Sequence, residues 1–454
     1  MRNIAVIDIG KTNVKLVLID RNTGGELAAL SRPNTVLTGP PYPHYATDDI
    51  WAFILDGLGL YEKYFGVDGV SITTHGATAA IMCNGALALP VLDYEFDGPE
   101  ALKSKYDAAR PDFAETLSPR LPVGLNLGAQ IFWQANAHKD AFAAADMILM
   151  YPQYWAYRLT GVAASEVTSL GCHTDLWNVG DKQFSSLVVG QGWEHLFPSI
   201  VPAMHVIGPV TPEIAAQSGL DPATPVACGI HDSNASLLPW LFTGADRINV
   251  ISSGTWTIVM SVGGEIAALD ETRDCLAYVD AFGRAVPAAR FMGGREFSEL
   301  TAGLEGTPRP EDVAAVVEKK AMVLPGLVPG VGPFPHSKGR WSVDPEGLSD
   351  RERMASASLY MALLAHTCLR LASLGELIVV EGPLARNTIF CSALAALTER
   401  PVHVSADATG TSLGAAMLFE DEGVAATLGE PITPMMVAGL HAYADAWMKA
   451  VTDD

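Results

Sequence analysis

Cationic residues are scarce: 29 Lys and Arg stand against 51 Asp and Glu, a formal net charge of −22 over 454 residues. A chain this acidic opposes the non-specific attraction to nucleic acid or anionic lipid that a dense basic surface provides. Apolar runs are short, and none reaches the ~18 residues that a membrane-spanning helix needs. The start of the chain enters directly into Ile4-Ala5-Val6-Ile7, without a basic stretch followed by an apolar segment and a cleavage site, so a soluble, cytoplasmic protein is expected. The six cysteines, at 83, 172, 228, 275, 368 and 391, include no C-x-x-C pair. Neither a disulfide framework nor a zinc site is indicated. Repeats, low-complexity tracts and coiled-coil heptads are lacking too.

What is present is an ordinary globular composition, 49% hydrophobic and 18% charged, in a chain too long for one typical core. Two domains of about 200 residues each are expected, the second beginning after Gly263, with a cleft between them that takes a small molecule. If that molecule carries phosphates, an acidic chain must meet them with backbone amides, helix N-termini, a few cations or a bound metal.

The stretch from Gly229 to Thr257, GIHDSNASLLPWLFTGADRINVISSGTWT, carries the strongest chemical signal. Asp232 stands where a helix can begin, since Ser233, Asn234 and Ser236 favour capping positions ahead of an apolar run. Taken alone, Asp232 reads as a helix cap; in context it is a candidate base. The run from Ile248 to Ile251 then reads as a buried strand that ends in the small-residue turn Ser252-Ser253-Gly254-Thr255, suited to presenting N–H groups and hydroxyls to an anion. A base beside a phosphate cradle implies phosphoryl transfer.

The N-terminus repeats this pattern: an apolar run, the polar turn Gly10-Lys11-Thr12-Asn13, and a second apolar run from Val14 to Ile19. Gly10 permits close backbone approach, Thr12 and Asn13 add hydrogen bonds, and Lys11 and Lys15 add charge. Asp8 is a candidate Mg²⁺ ligand, through water, because that ion keeps much of its hydration shell. An ordinary hairpin fits the same residues. The strand pairs at 4–19 and 248–260 hint at related halves.

Residues suited to a sugar lie between these turns. A strand over 67–72 ends at Thr73-Thr74-His75-Gly76, and polar strand ends line clefts. Asp93-Tyr94-Glu95 offers carboxylates and a phenol. Asn126 and Gln130, ahead of Phe132 and Trp133, offer amides beside an apolar wall. Each has a plain alternative as a core histidine, a solvated acid or helix packing. The segment 101–180 reads as largely helical and 198–225 as loop and turn. Further on, a long helix over 351–374, a strand over 377–380, the loop Gly382-Pro383-Leu384-Ala385-Arg386-Asn387, a helix over 388–397 and a strand over 402–405 give α/β order. Gly410-Thr411-Ser412-Leu413-Gly414 opens a helix that a flat ring or another backbone can approach closely. The terminal segment 435–451 reads as a helix free to pack on either domain.

With these motifs in order, the sequence resembles the FGGY carbohydrate kinases of the actin/hexokinase/Hsp70-like ATPase superfamily over nearly its whole length. DIGKTNVK at 8–15 resembles the first phosphate motif, His75-Gly76 the sugar-side loop and YRLTG at 157–161 the mid-domain signature. GIHDSNA resembles the catalytic-aspartate motif, ISSGTWT the second phosphate motif, and VEGPLARN with GTSLGAA the adenosine-binding elements. His231 before Asp232, with SSGTW, is most similar to the L-fuculose and L-rhamnulose kinase branch. Lys11 departs from the family pattern, where small or hydroxyl residues are common, and Gly171-Cys172-His173 departs from that of the branch. The resemblance implies two RNase H-like domains, at 1–245 and 246–454, with ATP and sugar in the cleft and Asp232 as the base. The nucleotide falls to Gly10, Lys11, Thr12, Asn13, Ser253, Gly254, Thr255, Gly382, Pro383, Asn387, Gly410 and Thr411, with Mg²⁺ near Asp8. The sugar falls to His75, Gly76, Asp93, Tyr94, Asn126 and His231. The expected reaction is phosphorylation of a primary hydroxyl of a ketose, with a ketopentose kinase or a non-catalytic sensor as alternatives; a homodimer is left open.

Overall fold

The computed structural model describes residues 1–405, 410–419 and 428–453. They form two compact units. The first takes Met1–Gly244, Ala277–Ala285 and residues 410–419; the second takes the described residues of 245–276, 286–408 and 427–454. A single cut after residue 245 therefore leaves two later segments with the first unit.

The first unit is built on a mixed sheet. β1 (Asn3–Ile9), β2 (Asn13–Asp20) and β3 (Gly25–Pro33) form an antiparallel meander, and β4 (Gly69–Thr74) runs parallel to β1 on its other side. β5 (Val206–Pro209), β6 (Pro225–Ala227) and the short β7 (Ile230–His231) complete it, β6 and β7 both pairing with β4. Successive side chains on a strand face opposite ways, and both faces of β1 are buried: Ala5, Ile7 and Ile9 join one core cluster, Ile4 and Val6 another. That double burial is why the strand reads as a continuous apolar run. Helix α1 (Thr47–Phe65) covers the first of these faces with Ile50, Ile54, Leu58 and Tyr61, one helical stripe.

Two stretches differ from expectation. Within 101–180 the helices α2 (Leu127–Ala137) and α3 (Tyr151–Thr160) share the chain with the strand Met147–Met150 and extended loops. Within 198–225, the expected loop contains β5 and the helix Pro212–Ser218, which Thr211 caps by accepting the Ile214 N–H at 3.3 Å. Threonine at the cap followed by proline at the first helical position is a start signal, outweighed in reading by the surrounding prolines.

The second unit repeats the plan. β8 (Ile248–Ser253), β9 (Thr257–Val262) and β10 (Ala285–Phe291) pair antiparallel in that order across the sheet, the strand Cys275–Val279 lying beyond β10, and β11 (Leu377–Glu381) and β12 (Val402–Val404) add in parallel beside β8. The related halves expected from the two strand pairs are thus present as matched topology. Helix α4 (Asp350–Leu371) fills the core behind this sheet and starts at a capping box, Ser349 and Glu352 bonding each other's main-chain N–H. The last helix, Leu440–Thr452, packs in the second unit, where Trp447 Nε1 donates to Val323 O at 2.7 Å.

Candidate active site

Sheet register gathers the first group of residues. Parallel pairing sets both Asp8 of β1 and Ile230 of β7 level with Thr73 of β4, and His231 level with Thr74. The chain then turns into the helix Asp232–Leu241, whose N-cap is the extended residue His231. Asp232 therefore emerges just past the strand ends, where parallel α/β sheets place ligands. The expected capping by Ser233, Asn234 or Ser236 is not what starts this helix; Asp232 occupies its first position and those three lie inside its first turns.

Asp232 keeps 33% of its side-chain surface open. Its Oδ1 accepts the Ser233 N–H at 2.6 Å. Burial raises its pKa, opposed by His75 and the Ser233 N–H. The Asp8 carboxyl is pushed up to about 6, first by burial and then by the charge of Asp232, with Lys15 pulling it down. Two carboxylates that feel each other from strands on either side of β4 are suited to different tasks, one holding a cation and one taking a proton.

Two buried histidines flank Asp232. His231 Nε2 lies 3.1 Å from Asp232 Oδ1 and 3.5 Å from the Cys172 sulfur, and the ring stacks on Tyr278 at 6.1 Å and 19°. His75 turns Nδ1 to the Gly76 carbonyl at 2.9 Å, while its buried Nε2 has no partner among the described residues. Burial holds both down at about 4, so both rings are neutral at pH 7. With Nδ1 donating, Nε2 of His75 is a lone-pair acceptor for a hydroxyl. Gly76 lets His231 come close: a Cβ there would sit 2.9 Å from His231 Nε2 and 3.3 Å from the Cys172 sulfur.

The β1–β2 turn forms as expected, closed by Gly10 N–H to Asn13 O at 2.9 Å and braced by Asn34, which donates to Gly10 O at 2.8 Å. Thr12 and Asn13 are exposed on it. Lys11 is placed differently from the phosphate-facing position expected. Its ammonium bonds Asp93, lies 3.2 Å from Glu95 Oε2, and sits 4.8 Å from the centre of the Tyr94 ring and 5.4 Å from that of Tyr45. Asp93 also faces the Tyr45 hydroxyl at 3.3 Å, and the His75 ring lies 5.4 Å from Tyr94. The structure thus brings together Lys11, His75, Gly76, Asp93, Tyr94, His231 and Asp232.

Asn126 does not join them. Its Oδ1 accepts the Leu121 N–H at 2.7 Å and its amide donates to Pro119 O and His173 O, so the fully buried side chain braces two loops. Gln130 likewise donates to the carbonyls of Ala77 and Gly124. Gly410 and Thr411 pack in the first unit: Thr411 Oγ1 is 2.7 Å from Ser236 Oγ, and a Cβ on Gly414 would lie 1.8 Å from Ala235 O. The close approach read in this glycine-rich start is made by another backbone.

In the second unit Gly254 and Thr255 are exposed at the end of β8, the strand-end turn expected. Ser253 is committed elsewhere: its hydroxyl donates to Glu381 O and accepts the Leu384 N–H at 3.0 Å. This ties the turn to the loop holding Gly382 and Pro383. Asn387 caps the following helix, Thr388–Thr398, accepting the Phe390 N–H at 3.0 Å, and donates to Ser358 Oγ at 3.0 Å. Residues that reading the chain passed over include Thr168, Glu166 and Tyr278. Glu166-Val-Thr follows the YRLTG motif closely, and Cys172 sat in a tripeptide already marked as a departure.

Family models match both parts of the chain: "FGGY family of carbohydrate kinases, N-terminal domain" over residues 123–239 and "Carbohydrate kinase FGGY, C-terminal domain" over 245–427. The crystal structure of a carbohydrate kinase from Novosphingobium aromaticivorans is 38% identical, covers 100% of this chain and 99% of its own, and superposes with a TM-score of 0.93. An L-fuculokinase of Salmonella typhi is 27% identical over 274 residues, 58% of this chain and 57% of that protein. A rhamnulokinase of Enterococcus faecalis is 34% identical over 210 residues, 44% of this chain and 40% of that one. The chain thus spans about half the length, 57% and 40%, of these curated relatives. On the full-length structural match and the two domain models, the chain belongs to the FGGY family of carbohydrate kinases.

Proposed function

We propose that the protein is an ATP-dependent kinase that transfers the γ-phosphate to a primary hydroxyl of a ketose, a deoxyketohexose such as L-fuculose or L-rhamnulose. The observation that carries this reading is Asp232: a partly open carboxylate at a helix start, beside the unpartnered acceptor Nε2 of His75 and the polar ring of Asp93 and Tyr94. The specific sugars are drawn from the names of the relatives matched above.

In this reading Asp232 takes the proton of the sugar hydroxyl as that oxygen bonds to the γ-phosphorus and the bond to ADP breaks. His75 accepts a second hydroxyl and orients the sugar; Asp93 and Tyr94 take others. The exposed turn at Thr12 and Asn13 meets phosphate through main-chain N–H groups, and in the second unit Gly254 and Thr255 are the matching candidates. Asp8 fits Mg²⁺: it is a single carboxylate at a strand end, ionised at neutral pH, and among the described residues no three acids, histidines or cysteines form a protein cage. Mg²⁺ is held in that way, by one or two carboxylates plus phosphates and water, and supplies charge neutralisation on the phosphoryl oxygens.

ADP release with and without a ketose panel tests the assignment. Strong stimulation by a sugar is expected; sugar-independent hydrolysis, or sugar binding without turnover, overturns it in favour of an ATPase or a sensor. Asp232→Asn keeps the shape and removes the base, so turnover falls by about 10² or more with ATP binding retained.

A further inference from the structure

Lys11 is out of place for a residue on a phosphate turn. Its ammonium points along the turn to the acceptor side, where it is enclosed by Asp93, Glu95 and the faces of Tyr45 and Tyr94, with 21% of its side chain open. Asp93 is buried and Glu95 is 65% exposed. Both carboxylates therefore hold the cation, one from inside and one from solvent. The groups around it belong to one electrostatic neighbourhood: His75 feels Lys11 and Asp232, Tyr94 feels Glu95, Asp232 and Asp93, and Asp8 feels Asp232 and Lys15. Four carboxylates, Asp8, Asp93, Glu95 and Asp232, thus face two lysines, of which Lys11 is already engaged twice.

We propose that Lys11, locked between Asp93 and Glu95, makes this site select uncharged polyhydroxy acceptors over acceptors that carry a carboxylate. The inference rests on the sugar-kinase reading above and adds the charge of the substrate to it. An acceptor hydroxyl donates to a carboxylate or to the lone pair on His75 Nε2 without disturbing the ion pair. A carboxylate entering the space beside Asp93 and Glu95 meets a negative field, and to pair with Lys11 it must displace one of them. Lys11 also offsets part of the charge of the acidic ring and fixes Asp93 in one orientation as an acceptor.

The test compares neutral acceptors, L-fuculose, L-rhamnulose, ribulose and xylulose, with the anionic acceptors D-gluconate and freshly prepared 3-keto-L-gulonate. The wild-type ratio of kcat/KM for the best acid to that for the best neutral sugar is expected below about 10⁻². Glu95→Gln frees one side of Lys11 and removes a negative charge, raising that ratio about tenfold; Lys11→Met removes the cation and lowers it further, since one charge within a few ångströms is worth about an order of magnitude in a partly screened site. Opposite shifts separate a charge filter from simple disruption, which would lower activity on both classes alike. A wild-type ratio near one, or shifts of the same sign in both variants, overturns the proposal. Calorimetric titration of the same compounds reads the preference without turnover: neutral sugars binding over acids in a protein that transfers no phosphate uphold the filter while removing the kinase reading, and acids binding as well as sugars removes the filter alone.

Discussion

The side-chain hydroxyl of Thr168 accepts the main-chain N–H of His231 at 3.1 Å. It also donates to Glu166, a fully buried carboxyl that in turn accepts the Thr168 N–H at 2.8 Å. A buried relay thus fixes the residue that caps the Asp232 helix. Thr168→Val keeps the volume and removes the acceptor, leaving a buried N–H unpaired at a cost of about 1–3 kcal/mol. The expected result is a fall in kcat of about tenfold with KM for sugar changed less than twofold, because His231 and Asp232 shift relative to the reacting oxygen. Thr168→Ser restores the hydroxyl and most of the rate. Equal losses in the serine and valine variants would assign Thr168 to packing alone.

In the proposed reading the two carboxyls, Asp8 and Asp232, set the acid side of the rate profile. Asp8 is held up at about 6 and Asp232 is raised as well, by burial first in both cases. A base works deprotonated and a cation ligand works ionised, so kcat/KM should fall as pH drops through about 6, rather than near the ordinary carboxylate range. Initial rates with saturating ATP across pH 4.5 to 8 measure this. A profile flat down to pH 4.5 would mean that neither group titrates in the working range.

Much of this site was legible because local chemistry and strand periodicity coincide. The apolar runs at Ile4–Ile7 and Val14–Ile19 could only be strands, and the polar residues after them could only be a turn. Asp232, His75 and Asp93 stood out as polar residues at the ends of apolar runs. Asn126 was misplaced because an amide beside aromatics looks the same in sequence whether it faces a ligand or, as here, three backbone partners. Lys11 was expected to face phosphate because nothing in the spacing shows that residue 93 lies within reach of residue 11; that contact depends on how the chain between them returns. Residues 410–419 were assigned to the later domain by order alone, whereas Ser71 Oγ donates to Ala415 O at 2.6 Å and draws that helix onto the first sheet.

His75 and His231 tie stability to pH. Each is buried and held at about 4, against about 6.5 in an unfolded chain. Between these values the unfolded state binds more protons, so the stability from each neutral ring is complete above about 6.5 and is lost as pH falls toward 4, up to about 3 kcal/mol per histidine. Asp8 acts in the opposite sense between about 4 and 6, since its raised pKa favours the protonated folded form, and it offsets part of the loss. His75→Asn should flatten the decline of the urea midpoint between pH 6.5 and 4.5 while lowering stability at pH 8. An unchanged slope would show that the ring does not change protonation on unfolding.

Gly382 lies in left-handed backbone at φ +76°, where a Cβ would stand 2.0 Å from the Ser253 carbonyl oxygen. Alanine there meets both a strained dihedral and a backbone atom that cannot yield without breaking the Ser253 bonds to Glu381 and Leu384. Gly330 in the same unit has φ +79° and open space around its Cβ position, so Gly330→Ala isolates the dihedral cost, about 1 kcal/mol. Gly382→Ala should cost at least about 2 kcal/mol more than that control in chemical denaturation, and should weaken binding of a non-hydrolysable ATP analogue if the 253–255 turn serves the nucleotide. Equal stability losses in the two variants would mean that the turn and loop can part freely, and the ligand measurement then decides whether their junction matters to the nucleotide at all.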